Sequence, residues 1–101
     1  MNTTPNLQCI VIIAESVVEA RLLRDLDRCG ARGWTITAAR GQGPAHQRLS
    51  EVEGGSIRIE TLVNDNSAAR IWAMLSADYF HDYAITAWSY DVQVQRSSRY
   101  S

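Results

Sequence analysis

Four glycines bracket one β-rich run, in the order Gly30-Ala31-Arg32-Gly33-Trp34-Thr35-Ile36-Thr37-Ala38-Ala39-Arg40-Gly41-Gln42-Gly43. The chemistry such a segment can support is anion binding. Residues Trp34 to Ala38 are aromatic and β-branched, which suits a strand. Gly41 and Gly43 follow where that strand opens into a loop. With no Cβ, they let main-chain N–H groups approach a phosphate or carboxylate. The same spacing also serves a plain flexible hairpin, so the surrounding charges matter.

All ten basic residues are Arg, and Lys is absent. That excludes a Walker-type phosphate loop, which needs its Lys. Any anion clamp here is a guanidinium, which binds carboxylate or phosphate as a planar fork. Arg40, Arg58, Arg96 and Arg99 fall at strand ends or on the final tail. Arg40 and Arg48 read as surface charges. The net charge of −1, with acids and bases interleaved, argues against a general nucleic-acid binder.

The remaining chemistry-bearing residues do not converge. The two histidines, His46 and His81, fall in a loop and a turn, and no Ser/His/Asp or Cys/His set follows from spacing. His81-Asp82 reads as an exposed turn, and Glu51 with Glu53 as a solvated loop face. Cys9 lies in a strand and Cys29 at a helix end. They show neither metal spacing nor a disulfide framework and read as reduced core residues. No catalytic residues and no metal ligands are assigned.

The elements that must position the glycines and arginines follow from periodicity. Leu7 to Ala14 is nearly continuous apolar sequence and reads as a strand buried on both faces. Ser16-Val17-Val18-Glu19 has the spacing of a capping box. The helix it opens runs to Cys29, with Val18, Leu22, Leu26 and Cys29 on one face and Gly30 as its stop. Trp34 to Arg40 is the second strand. Gly41 to Gly55, with Pro44 and no periodicity, reads as a long exposed loop, a type that is usually functional or disordered.

Ser56 to Val63 alternates Ile57, Ile59 and Thr61 against Arg58, Glu60 and Leu62, a third strand. Asn64 to Ser67 supplies turn and cap residues before a helix over Ala68–Asp78 with Ile71, Trp72 and Leu75 inward. Tyr79 to Tyr83 is an aromatic connection. Ala84 to Gln95 is the last strand, with Ile85, Ala87 and Trp88 as core candidates, and Arg96 to Ser101 is a polar tail.

The order βαββαβ is an α+β, ferredoxin-like sandwich: an antiparallel sheet with two helices on one face. The 101 residues form one domain. Its second sheet face needs a cover, which an oligomer supplies. Trp34 and Trp88 suit subunit packing better than stacking on a base. The chain holds no apolar run of membrane-spanning length and no signal-peptide pattern at its start, which points to the cytoplasm.

The pattern G-x-x-G-x-T-x-T-x-x-x-G-x-G between a first helix and a long polar loop resembles the PII signalling family. So do Ile57-Arg58-Ile59-Glu60, the turn from Tyr79-Phe80 to Tyr83-Ala84, and the tail Val92-Gln93-Val94-Gln95-Arg96. The resemblance spans Leu7 to Tyr100 and is closest to the PII-like branch linked to bicarbonate transport and carboxysomes.

It implies a homotrimer with residues 41–55 as the T-loop equivalent. It also implies a non-enzymatic sensor of adenine nucleotides (ADP, AMP or ATP), with bicarbonate as a second effector. The implied nucleotide-binding residues are Gly33, Thr35, Gly41, Gln42, Gly43, Arg58, Arg96 and Arg99, drawn from two subunits. The implied partner is a membrane transporter or a carboxysome-linked protein, engaged through the loop. The alternative is a trimeric metal-binding protein of the metal-tolerance (CutA) type or a small monooxygenase-like enzyme. The missing Lys departs from regular PII nucleotide binding.

Overall fold

The structure is a computed structural model and describes residues 7–41 and 55–99. Gln42, Gly43, Pro44, His46, Arg48, Glu51 and Glu53 therefore lie outside the described residues, as does most of the expected loop. Strand β1 is Leu7–Glu15, and a 3-10 turn over Ser16–Val18 leads into helix α1, Glu19–Arg28. Strands β2, Thr35–Ala39, and β3, Ser56–Val63, precede helix α2, Asp65–Asp78. Strand β4 is Thr86–Val92, and a last 3-10 turn covers Ser97–Arg99.

The sheet order is β2-β3-β1-β4, with every neighbouring pair antiparallel. This is the ferredoxin-like arrangement that the element order implies.

Strand alternation sorts the sheet into two faces. One row runs across all four strands as Ile36, Ile59, Ile12 and Ala87. Leu22 and Leu26 of α1 and Ile71 and Leu75 of α2 cover this face, all without solvent exposure. Trp72 and Ile85 pack at its border, as their positions suggest. The opposite face carries the rows Thr35-Glu60-Val11-Trp88, Thr37-Arg58-Ile13-Thr86 and Leu62-Cys9-Tyr90.

Several local expectations need correction. Trp88 follows Ala87 by one residue, so it points to the open face and stands outside the helix-side core. The Ser16–Glu19 capping box does not form. The Ser16 N–H already donates to the Gly55 carbonyl at 3.0 Å, so a Glu19 carboxylate has no donor to reach back to. The first turn is 3-10 instead, closed by the Glu19 N–H on the Ser16 carbonyl.

Helix α2 starts at Asp65, three residues early. Asn64 is its cap and accepts the Ser67 N–H at 2.8 Å, so the turn residues become the first helical turn. Strand β4 is shorter than expected at both ends. The Ile85 N–H turns back to the Tyr83 carbonyl, and Val92 pairs with Leu7, where β1 begins.

Gly30 is the stop that the sequence marks. Its φ is +103°, and the N–H groups of Gly30 and Ala31 donate to the carbonyls of Asp27 and Leu26, the paired bonds of a Schellman motif. A Cβ at this position would lie 2.5 Å from the Ser67 Oγ of α2. Gly30→Ala should therefore cost roughly 1–3 kcal/mol, through left-handed strain and loss of the α1–α2 approach. Urea unfolding checks this, and an unchanged midpoint would show that the turn relaxes freely.

Candidate functional site

Two regions gather the residues that could bind. The first is the sheet end where β2 stops and β3 starts. Ala39 pairs with Ser56, and Ser56 pairs in turn with Glu15 at the end of β1. The buried Ser56 hydroxyl donates to the Ala39 carbonyl at 2.7 Å, tying the two strand ends together. Gly41 lies just beyond, exposed, with nothing within 4 Å of a Cβ built on it. Gly55 has φ +74°, and its carbonyl holds the Ser16 N–H. The backbone at Gly41 itself is thus open to an approaching group.

The second region is the open sheet face. Arg58 donates from Nε to Glu60 Oε1 at 2.8 Å, and its guanidinium lies 5.6 Å from the centre of the Trp88 ring. Thr35 sits opposite Glu60 and Thr37 opposite Arg58 on the same face. Leu7, Cys9 and Val11 of β1 are fully or nearly fully buried, while Trp88 and Tyr90 remain 39% and 48% exposed. The neighbouring Cys9 thiol raises the Tyr90 phenol pKa. The face is therefore apolar at its centre with one ion pair beside it.

The expected residues divide as follows. The register puts Thr35 and Arg58 on the same open face, in adjacent rows and not opposite one another. Gly33 has a backbone role: its carbonyl accepts the buried Thr61 hydroxyl at 2.7 Å. Arg96 and Arg99 are exposed on the tail and joined by an Arg99 N–H to Arg96 carbonyl bond of 3.1 Å. They follow β4, at the opposite sheet edge and the opposite sheet end from Gly41. Three strand spacings alone separate those edges by about 14 Å. One chain does not bring Gly41 and Arg96 together. Gln42 and Gly43 lie outside the described residues.

Sequence reasoning missed a second cluster. The buried Tyr79 donates its hydroxyl to Asp25 Oδ2 at 2.6 Å, and Arg21 Nη1 donates to the Tyr83 hydroxyl at 3.0 Å. The Arg21 guanidinium lies 4.7 Å from the Tyr79 ring centre and 5.7 Å from that of Tyr83. Burial, then the Asp25 hydrogen bond and charge, hold the Tyr79 phenol well above the ordinary tyrosine range. The signal available in sequence was the helical spacing of Arg21, Asp25 and Arg28 together with the Tyr79–Tyr83 pair.

Cys29 is buried, and burial followed by the Asp25 charge pushes its thiol pKa upward, the setting of an inert thiol. Among the described residues no three His, Cys, Asp or Glu side chains are grouped to hold a metal ion. No helix among them is long and apolar enough to cross a membrane.

The comparisons with known proteins agree with this geometry. No curated protein matches the sequence. A protein from Thermus thermophilus described as PII-like signalling is 40% identical, covers 96% of this chain and 97% of its own, and superposes with a TM-score of 0.83. CPII from Thiomonas intermedia, in a structure bound to ADP and bicarbonate, is 22% identical over 95% of both chains, with a TM-score of 0.84. B. subtilis GlnK, at 12% identity over 86% of this chain and 85% of its own, superposes with a TM-score of 0.64. The family model described as nitrogen regulatory protein P-II matches residues 7–99. With that match spanning nearly the whole chain, and with the ferredoxin-like order β2-β3-β1-β4 beneath it, this protein belongs to the P-II family.

Proposed function

We propose that this chain is a non-enzymatic cytoplasmic sensor that works as a homotrimer and binds adenine nucleotides in the clefts between its subunits. The observation that carries this reading is the split of the motif-matched residues. Thr35 and Gly41 lie on one sheet edge and Arg96 and Arg99 beyond the other. A neighbouring copy that meets the β2 edge with its tail would complete one site. The open face, apolar around Val11 and Cys9 and flanked by Trp88 and Tyr90, supplies surface for that association.

The ligand class comes from relatives. Structures of CPII from Thiomonas intermedia hold ADP with bicarbonate, ADP with AMP and bicarbonate, and ADP with AMP and acetate. In this reading Gly33, Thr35, Gly41, Gln42 and Gly43 present backbone and hydroxyl groups to the nucleotide, while Arg58, Arg96 and Arg99 supply charge. Residues 41–55 act as the T-loop equivalent. Bound ligand controls whether this segment engages a transporter or a carboxysome-linked partner.

The test is a thermal-shift and calorimetric screen of ADP, ATP, AMP and cyclic AMP, each with and without bicarbonate, set against Cu²⁺ and Zn²⁺. Stabilisation by nucleotides alone is the expected result. Stabilisation by metal alone would favour a protein of the metal-tolerance type.

A further inference from the structure

The Arg21 cluster joins α1 to the segment between α2 and β4. That segment, residues 79–85, delivers the chain to Thr86, which lies opposite Ile13, two residues before the end of β1. The pairs Glu15–Ser56 and Ala39–Ser56 place Gly41 and Gly55 at that same sheet end. Helix α1 also starts there, with Ser16 on Gly55 and Arg21 little more than one turn further along. The 79–85 connection therefore walls the β4 side of the sheet end at which β2 stops and β3 starts, three strands across from Gly41.

We propose that Arg21 is a positioning residue that latches this wall to α1. This rests on the nucleotide-binding reading of the Gly41 end.

The latch has two parts of different character. Tyr79 is fully buried and bonded to Asp25, so it anchors the start of the connection. Arg21 is exposed and half-open to water, yet it lies against both rings and bonds the Tyr83 hydroxyl. It is the piece that holds the far end of the connection. Asp25 keeps Arg28 at 3.5 Å and the Tyr79 hydroxyl when Arg21 is removed, so no carboxylate is stranded. Loss of Arg21 should free residues 80–85 without unfolding the domain.

The experiment compares the unaltered chain with Arg21→Ala, Tyr83→Phe and the combined variant. Amide hydrogen exchange is read without ligand, and ADP affinity by calorimetry. In Arg21→Ala the amides of residues 80–85 should exchange roughly tenfold faster, with those of α1 and β1 unchanged. ADP affinity should fall about three- to tenfold, the scale on which residues acting through others change a site. Tyr83→Phe keeps the ring and loses the acceptor, so it gives a smaller change of the same sign. The combined variant should be no worse than Arg21→Ala alone, because both remove one contact.

Unchanged exchange at 80–85 overturns the latch. Faster exchange with full ADP affinity overturns the positioning role and leaves the nucleotide reading standing. If the unaltered chain binds no ADP, that reading fails and takes the positioning role with it, whatever the exchange shows.

Discussion

Replacing Trp88 with Asp is expected to turn the trimer into folded monomers. Trp88 stands on the face away from both helices, paired with Val11 and stacked by Arg58. It takes no part in the core formed with α1 and α2. Its exposed share, 39%, is surface available to a neighbouring copy. A Trp side chain brings about 150–250 Å² to an interface when fully covered, so the still-exposed fraction is worth roughly 2 kcal/mol per copy at about 25 cal/mol per Å². Aspartate adds a penalty of several kcal/mol for each carboxylate withdrawn from water, of which Arg58 can return only part. Threefold repetition multiplies both effects. Sedimentation or light scattering should report a monomer mass at micromolar concentration, with the circular dichroism of the folded domain retained. A variant that stays trimeric would place the subunit contact elsewhere than the open face.

The core was legible in the sequence because two periods carry it. Val18, Leu22, Leu26 and Cys29 recur at helical spacing, and Ile57, Ile59 and Thr61 at strand spacing; all seven are buried where those periods put them. Gly30 was legible for a different reason: a glycine right after an apolar stripe marks the left-handed residue that ends a helix.

What failed was set by partners distant in sequence. The Ser16–Glu19 box lost its donor to Gly55, some forty residues away in the chain. Trp88 is one residue out of phase with Ala87, and only the β1 register fixes which of them faces the helices. The Arg21–Tyr83 contact joins α1 to the segment after α2, which nothing local brings together. Composition likewise named arginine as the anion-binding side chain but could not say which arginine is already engaged. Arg58 proves to be paired with Glu60 and stacked on Trp88. Arg96 forms no ion pair among the contacts of the described residues, which makes it the better probe of ligand binding.

Arg96→Ala should weaken ADP binding about ten- to a hundredfold, with the trimer intact. The tail places Arg96 beyond the β4 edge, exposed, so its removal leaves the sheet, both helices and the open face untouched. A hydrogen bond from a guanidinium to a phosphate is worth roughly 1.5–3 kcal/mol, which corresponds to that range of affinity.

Gly41→Val tests the other half of the same site by a different physical route. Gly41 does not have the positive φ of Gly30 or Gly55, and a Cβ there meets nothing within 4 Å. The free chain should therefore accept valine at little cost. Any loss of ADP affinity then reports a blocked approach of ligand to backbone N–H groups, with no charge removed. The two variants should also differ in salt response. The loss in Arg96→Ala should shrink as salt rises, because screening already weakens that contact in the unaltered chain, whereas the steric loss in Gly41→Val should persist. Calorimetry at two ionic strengths reads both, and ADP affinity unchanged in each variant would reject a shared site between the β2 edge of one subunit and the tail of the next.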